Sequence, residues 1–206
     1  MARPRKFDEQ TALTAALDAF WARGYEATST RDLTSAMGMT QPSLYNAFGD
    51  KRSLFLLALE GYVEASMRER IARLGTTLPP GAAISAYLSE SLERSLADPL
   101  HRGCLLVNTA LEVTPDDPGL QQKVADAFAE IRAFFRDRFA AAQQQGAAST
   151  GVSADDASAQ LLATLLGMRV LARSAPQRAL LEAAVRPTLA LLGLPPLSAA
   201  AVPGTG

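Results

Sequence analysis

The chain has 206 residues, enough for one or two domains with a sizeable core, and its 20 Lys and Arg nearly cancel its 21 Asp and Glu. That balance excludes a general polybasic nucleic-acid coat, and a single cysteine excludes an internal disulfide framework and a cysteine-rich zinc site. With no apolar run of membrane-spanning length and no signal-peptide core, a soluble, cytoplasmic protein is expected. The N-terminus places Arg3, Arg5 and Lys6 unopposed, either as a solvated tail or as an arm that lays arginine into a minor groove. A helix is predicted from about Asp8 to Arg23, with Leu13, Leu17 and Phe20 inward and Gly24 as its stop.

The next stretch carries the chemistry. Ser29 suits an N-cap and Asp32 returns the bond, so a helix is predicted over Thr30–Met37 with Leu33, Ala36 and Met37 inward. Gly38 falls where positive φ is wanted. Thr40 caps a second helix from Gln41 to about Phe48, and Pro42 sits harmlessly in its first turn. Leu44 and Phe48 form the inner face of that helix; Gln41, Ser43, Tyr45 and Asn46 form the outer one. Gly49 ends it, and Asp50 caps a third helix opening at Lys51. Helix, glycine turn and a second helix with an outward row of donors and acceptors is the layout of a helix-turn-helix reader of the major groove. Gln41, Ser43 and Asn46 are the candidates for base edges, and Thr28, Ser29, Thr40, Tyr45 and Lys51 for phosphates.

The pattern Gly24-Tyr25, Thr28-Ser29, Leu33, Gly38-Met39-Thr40, Leu44-Tyr45, Phe48, Lys51 and Leu54 resembles the DNA-binding domain of TetR-type (tetracycline-repressor-like) transcriptional regulators. It departs from the family at Ala47, where a larger aromatic or polar residue is common. The resemblance implies an all-α protein: a reader domain over 1–52, joined by a long helix to a helical effector-binding and dimerisation domain over 53–206. It also implies double-stranded DNA with a pseudo-palindromic operator as partner, and no cofactor.

From Lys51 the pattern runs on to about Leu74 through Leu54, Ala58, Tyr62, Met67 and Ile71, and GTTLPPG (75–81) reads as a loop. Further helices are predicted at Ala82–Ala97, Arg102–Val113, Leu120–Gln145, Ala154–Ser174 and Gln177–Leu192. The long helix carries one stripe of Leu120, Val124, Phe128, Ile131, Phe135 and Phe139, either plain core or part of a ligand cavity. The last two helices are apolar on more than one face, which predicts a homodimer through a four-helix bundle.

Candidates for a small apolar or electrophilic effector are Cys104, Asn108, Phe128, Phe135 and Met168. Cys104 lies in a segment, HRGCLLVNTALEV, that resembles a subset of TetR-like regulators, some of which use such a cysteine to sense oxidants or electrophiles. Core packing is the other reading of this thiol. His101 has no partner motif, and neither a phosphate loop nor a metal-ligand spacing is visible, so an enzyme is not expected.

Overall fold

The computed structural model describes residues 8–197, so Arg3, Arg5 and Lys6 lie outside the described part. All regular structure within it is helical: α1 (Glu9–Arg23), α2 (Thr30–Met37), α3 (Gln41–Phe48), α4 (Lys51–Val63), a π-helical turn (Glu64–Arg68), α5 (Glu69–Thr77), α6 (Pro80–Ala97), α7 (Leu105–Glu112), α8 (Pro118–Gln144), α9 (Ala154–Ser174) and α10 (Arg178–Leu191).

Each N-terminal helix starts where a side chain can accept its first free N–H. Asp8 accepts from Gln10 in α1, and Ser29 and Asp32 form the reciprocal box of α2. Thr40 and Asp50 do the same for α3 and α4. Gly38 ends α2 in the left-handed region at φ 64°, where a Cβ would be strained. The inward faces differ in two places from the sequence expectation. In α1 the residues that pack inward fully are Ala12, Ala16 and Phe20, while Leu13 and Leu17 are half-buried. Because α1 lies against both α2 and α4, small side chains occupy the closest approach. In α2, Ala36 is exposed, because two turns leave room for only a narrow stripe, Leu33 and the half-buried Met37.

The helix that begins at Lys51 runs without a break to Thr77. Leu54, Ala58 and Tyr62 follow steps of four, but Tyr62 to Met67 is a step of five. The π-helical turn absorbs that extra residue and keeps both sides buried. Arg68, the last residue of the turn, is clamped to α8 by two bonds to Glu130, both 2.8 Å, and back to α4 by Glu60 at 2.5 Å. The predicted loop over 75–81 is a correction: only Leu78 and Pro79 separate α5 from α6. The Thr76 and Thr77 hydroxyls bond back onto helix carbonyls, and Pro80 enters α6 in the first turn, where no N–H is missed. In contrast α7 is shorter than expected. His101 at φ 47° and Gly103 at φ 74° hold the chain out of a right-handed helix until Leu105.

The larger core is built on α8, which packs against α6 and α9. Leu120, Val124, Ile131, Phe135 and Phe139 are buried, and Phe134 joins Phe135 around Tyr87 with ring centroids 5.6 and 5.4 Å away. Helices α9 and α10 pair side by side, tied by the Thr164 and Thr188 hydroxyls at 3.0 Å.

Candidate nucleic-acid interface and effector cavity

Helix α3 sits on the molecule by two side chains only. Leu44 and Phe48 are buried against the α1–α4 core, and every other residue from Gln41 to Ala47 faces solvent. The outer row is uncharged but rich in donors and acceptors: Gln41 Nε2 donates to the Tyr45 hydroxyl at 3.3 Å, and the Thr40 and Ser43 hydroxyls meet at 2.8 Å. With Asn46 exposed beside them, Gln41 and Ser43 form one edge of a size to enter a major groove. Ser29, Pro42 and Tyr45 are also exposed, and the exposed Thr40 caps the N-terminus of α3, whose partial positive charge suits a phosphate. Lys51 is held at the border by the Glu26 carbonyl at 3.3 Å and by the Tyr25 ring, 4.4 Å from its nitrogen.

One expected phosphate contact fails. Thr28 is fully buried, and its hydroxyl donates to the Gly24 carbonyl at 2.6 Å, fastening the turn between α1 and α2. Its side chain reaches no phosphate. The Ser29–Asp32 box is likewise structural in part: the Ser29 hydroxyl, the Ser29 N–H and then Arg23 together lower the Asp32 carboxyl to about 2.

The second region is a small cavity of about 30 Å³ where the long helix meets α6, α7, α8 and α9. Of the five effector candidates, Cys104 and Phe128 line it. The other three do not: Asn108 turns away to bond the Arg102 carbonyl at 2.9 Å, Phe135 stacks in the core on Tyr87, and Met168 is buried outside the lining. Leu165, Leu166 and Arg169 supply the α9 wall instead. The thiol of Cys104 is half-buried and accepts from the Tyr62 hydroxyl at 3.4 Å. Burial, with Cys104 adding to it, pushes the Tyr62 phenol above its ordinary range, so it stays a donor.

The sequence reading missed Tyr62, Ser66, Met67, Arg70, Tyr87 and Arg169 in this wall. Arg70 had a visible signal: Met67, Arg70 and Leu74 fall three and four residues apart, so an arginine stands in a core stripe.

Cavity and reader are joined by the segment around α7. Trp21 of α1 donates to the Gly103 carbonyl at 3.2 Å, and Arg102 lies over the Trp21 ring at 4.2 Å while pairing with Asp18 at 2.9 Å. At the far end of α7, the Glu112 carboxylate accepts from the backbone N–H of Tyr25 at 2.7 Å and of Glu26 at 3.3 Å. Arg52 at the start of α4 holds the Asp117 cap of α8 through two bonds, 3.0 and 2.7 Å. Among the described residues, no group of His, Cys, Asp or Glu is placed to hold a metal, and no helix is long and apolar enough to cross a membrane.

Comparison with known proteins agrees with this geometry. Residues 12–58 match the family model described as bacterial regulatory proteins, tetR family, and residues 80–187 match the tetracyclin repressor-like C-terminal domain. An uncharacterised HTH-type transcriptional regulator of Bacillus subtilis, YezE, is 33% identical over 71% of this chain and 75% of its own. The HTH-type transcriptional repressor ComR of Escherichia coli is 32% identical, and the match spans about half of either protein, 55% of each. Among solved structures, a cysteine-substituted form of the TetR family transcriptional regulator CifR, complexed with 26-base-pair operator DNA, superposes with a TM-score of 0.81. It is 34% identical, over 91% of this chain and 98% of that one.

Proposed function

The chain belongs to the TetR family of bacterial regulatory proteins, and from that membership we propose that it is a cytoplasmic, homodimeric repressor of transcription released from its operator by a small effector. The observation that carries this reading is the face of α3, on which Gln41, Ser43 and Asn46 stand outward over a helix anchored by Leu44 and Phe48. Gln and Asn side chains pair well with adenine edges, while Thr40, Tyr45, Lys51 and the basic arm with Arg3, Arg5 and Lys6 hold phosphates or a minor groove. The division of labour is a reader over 1–52 and an effector-binding and dimerisation domain over 53–206. CifR bound to its operator supports the same use of the reader here.

Dimerisation is supported by the outer face of α9 and α10. Val170, Leu180 and Leu191 are exposed there among Ala163, Gly167, Ala183 and Pro187, an apolar, small-residue surface suited to a second copy across a two-fold axis. Two readers on such an axis take half-sites about one helical turn apart, roughly 34 Å.

Release needs a path from cavity to reader. Tyr62, Ser66, Met67 and Arg70, on one wall of the cavity, belong to the helix that starts at Lys51 beside α3. A molecule larger than one or two waters fills more than the present space, so it must displace a wall. A shift of the π-helical turn is carried along α4 to the reader. A second route of release is thiol modification. It is favoured by the position of Cys104 at the cavity edge, its sulfur accepting the Tyr62 hydroxyl at 3.4 Å. A footprint on the DNA upstream of its own gene tests the proposal. Protection of two half-sites related by a dyad is expected, and random or absent protection overturns it.

A further inference from the structure

Arginine is almost never fully buried unless a carboxylate or a set of carbonyls receives its five N–H bonds. Arg70 is an exception. It is 3% exposed, and its Nε and Nη1 have no hydrogen-bond partner. The face of Tyr87, 3.9 Å from the guanidinium carbon, attracts the charge without satisfying those two nitrogens. No carboxylate forms an ion pair with Arg70 among the described residues; the charged side chains that act on it most are Arg169 and Arg94, both positive. Neither of these forms an ion pair there: Arg169 donates to the Ser95 hydroxyl at 3.0 Å, and Arg94 reaches the Ser66 carbonyl at 3.4 Å. Burial pulls the Arg70 guanidinium below its ordinary range, with Tyr87 opposing that pull and Arg169 adding to it. One turn beyond Tyr87 on α6, the fully buried Ser91 hydroxyl also lacks a partner.

Charge of one sign, buried and unneutralised, is expensive to fold around, and replacing it by methionine would remove that cost. Its presence at a cavity wall is explained if the missing counter-ion arrives with a ligand. Arg70 and Arg169 both line the cavity, and most of the remaining lining is apolar, including Val63, Leu106, Phe128 and Leu165. We propose that the effector cavity is a receptor for a small carboxylic acid with an apolar body, its carboxylate taken by the free N–H groups of Arg70 beside Arg169. This rests on the effector reading above and gives that effector a chemical class. A bound carboxylate draws Arg70 and Arg169 together from the long helix and from α9, so its arrival repacks the wall that contains the π-helical turn.

The test measures binding to the full-length protein without DNA, by calorimetry, with benzoate, its neutral isostere benzamide, and acetate. Benzoate is expected to bind and to raise the melting temperature. Benzamide and acetate should bind at least about tenfold more weakly, since one lacks the charge and the other the apolar body. Arg70→Met should abolish the preference for benzoate over benzamide, and Arg70→Lys should retain part of it. The ligand-free Arg70→Met protein should melt no lower than the wild type. Equal binding of benzoate and benzamide, binding of neither, or an undiminished preference in Arg70→Met overturns the proposal. Operator release is read separately. Benzoate that binds selectively while the operator stays occupied upholds the anion site and overturns the effector reading instead.

Discussion

The Glu112 carboxylate, at the end of α7, accepts the backbone N–H of Tyr25 at 2.7 Å, so the C-terminal half of the chain caps the turn between α1 and α2. The same carboxylate fills the space beside Gly24: a Cβ there would come within 2.2 Å of a Glu112 oxygen. Gly24 also has φ 88°, so a side chain is excluded twice, by conformation and by contact. Glu112→Ala removes two hydrogen bonds to a charged acceptor and should lower stability by about 1–3 kcal/mol. Gly24→Ala should cost at least as much, because the backbone strains and Glu112 must move. Chemical denaturation checks both, and if Glu112→Ala costs nothing, the link across α7 is not holding the turn.

Salt dependence separates the two kinds of contact at the reader. Lys51→Ala should weaken all DNA sites alike and lower the salt slope by roughly one, the mark of one lost phosphate contact. Gln41→Ala and Asn46→Ala should instead relax preference at single base positions, each by about 1–3 kcal/mol. Thr28→Val should leave the salt slope unchanged, since that hydroxyl faces the Gly24 carbonyl and not solvent. Filter binding across a salt series with a randomised operator measures all four, and a changed slope in Thr28→Val would return that residue to the interface.

The reader was legible in the sequence because its structure is made by local rules. Caps at Ser29, Thr40 and Asp50 and the left-handed Gly38 act within a few residues, and the motif spacing is set by them. Thr28 reads from its neighbours as a phosphate contact beside Ser29, while its partner in the fold is the carbonyl four residues back. The cavity was less legible. Cys104 and Phe128 meet there, but Arg70 and Arg169 come from helices far apart in the chain, and no local period shows that their charges face each other without an acid. The five-residue step from Tyr62 to Met67 was in the sequence, yet it acquires meaning only as the π-helical turn that Arg68 fastens to α8.

Acid should loosen the junction between the two halves. The bidentate Arg52 contact, then the Leu120 N–H, lower the Asp117 carboxyl to about 2, below its unfolded value near 3.8. A depressed carboxylate contributes stability that is complete above the unfolded value and is lost as pH falls through the folded one. The window is therefore about pH 4 down to 2, and Asp32 titrates in the same range. Both groups are only half-buried, so high salt should shrink the effect. Asp117→Asn should flatten the acid limb of the melting curve while leaving the neutral plateau lowered. If the limb is unchanged, the clamp contributes nothing to acid sensitivity.

Val170 is the cleanest probe of the dimer face, because it is exposed on α9 whereas the neighbouring Leu166 also borders the cavity. Val170→Glu places a carboxylate where two α9–α10 pairs would meet. Burying it unpaired costs several kcal/mol, enough to dissociate many interfaces, while the folded monomer keeps it in water. Sedimentation should show a folded monomer with sharply weakened operator binding. A variant that sediments as the wild-type dimer would move the interface elsewhere.

The thiol route is tested on the DNA complex. Cys104 lines the cavity with its sulfur 3.4 Å from the Tyr62 oxygen, and no second cysteine exists in the chain to form an internal bridge. Modification must therefore end as an adduct, a sulfenic acid or a bridge between subunits. An adduct also adds volume to a space of about 30 Å³, so it should displace the same wall as a bound effector. Treatment with peroxide or N-ethylmaleimide should release the operator from the wild type and leave Cys104→Ser bound. Tyr62→Phe removes the donor to the sulfur and should slow modification at neutral pH with little change in operator affinity beforehand. The serine variant releasing DNA as readily as the wild type would leave Cys104 as wall packing, with reversible binding at Arg70 as the remaining route of induction.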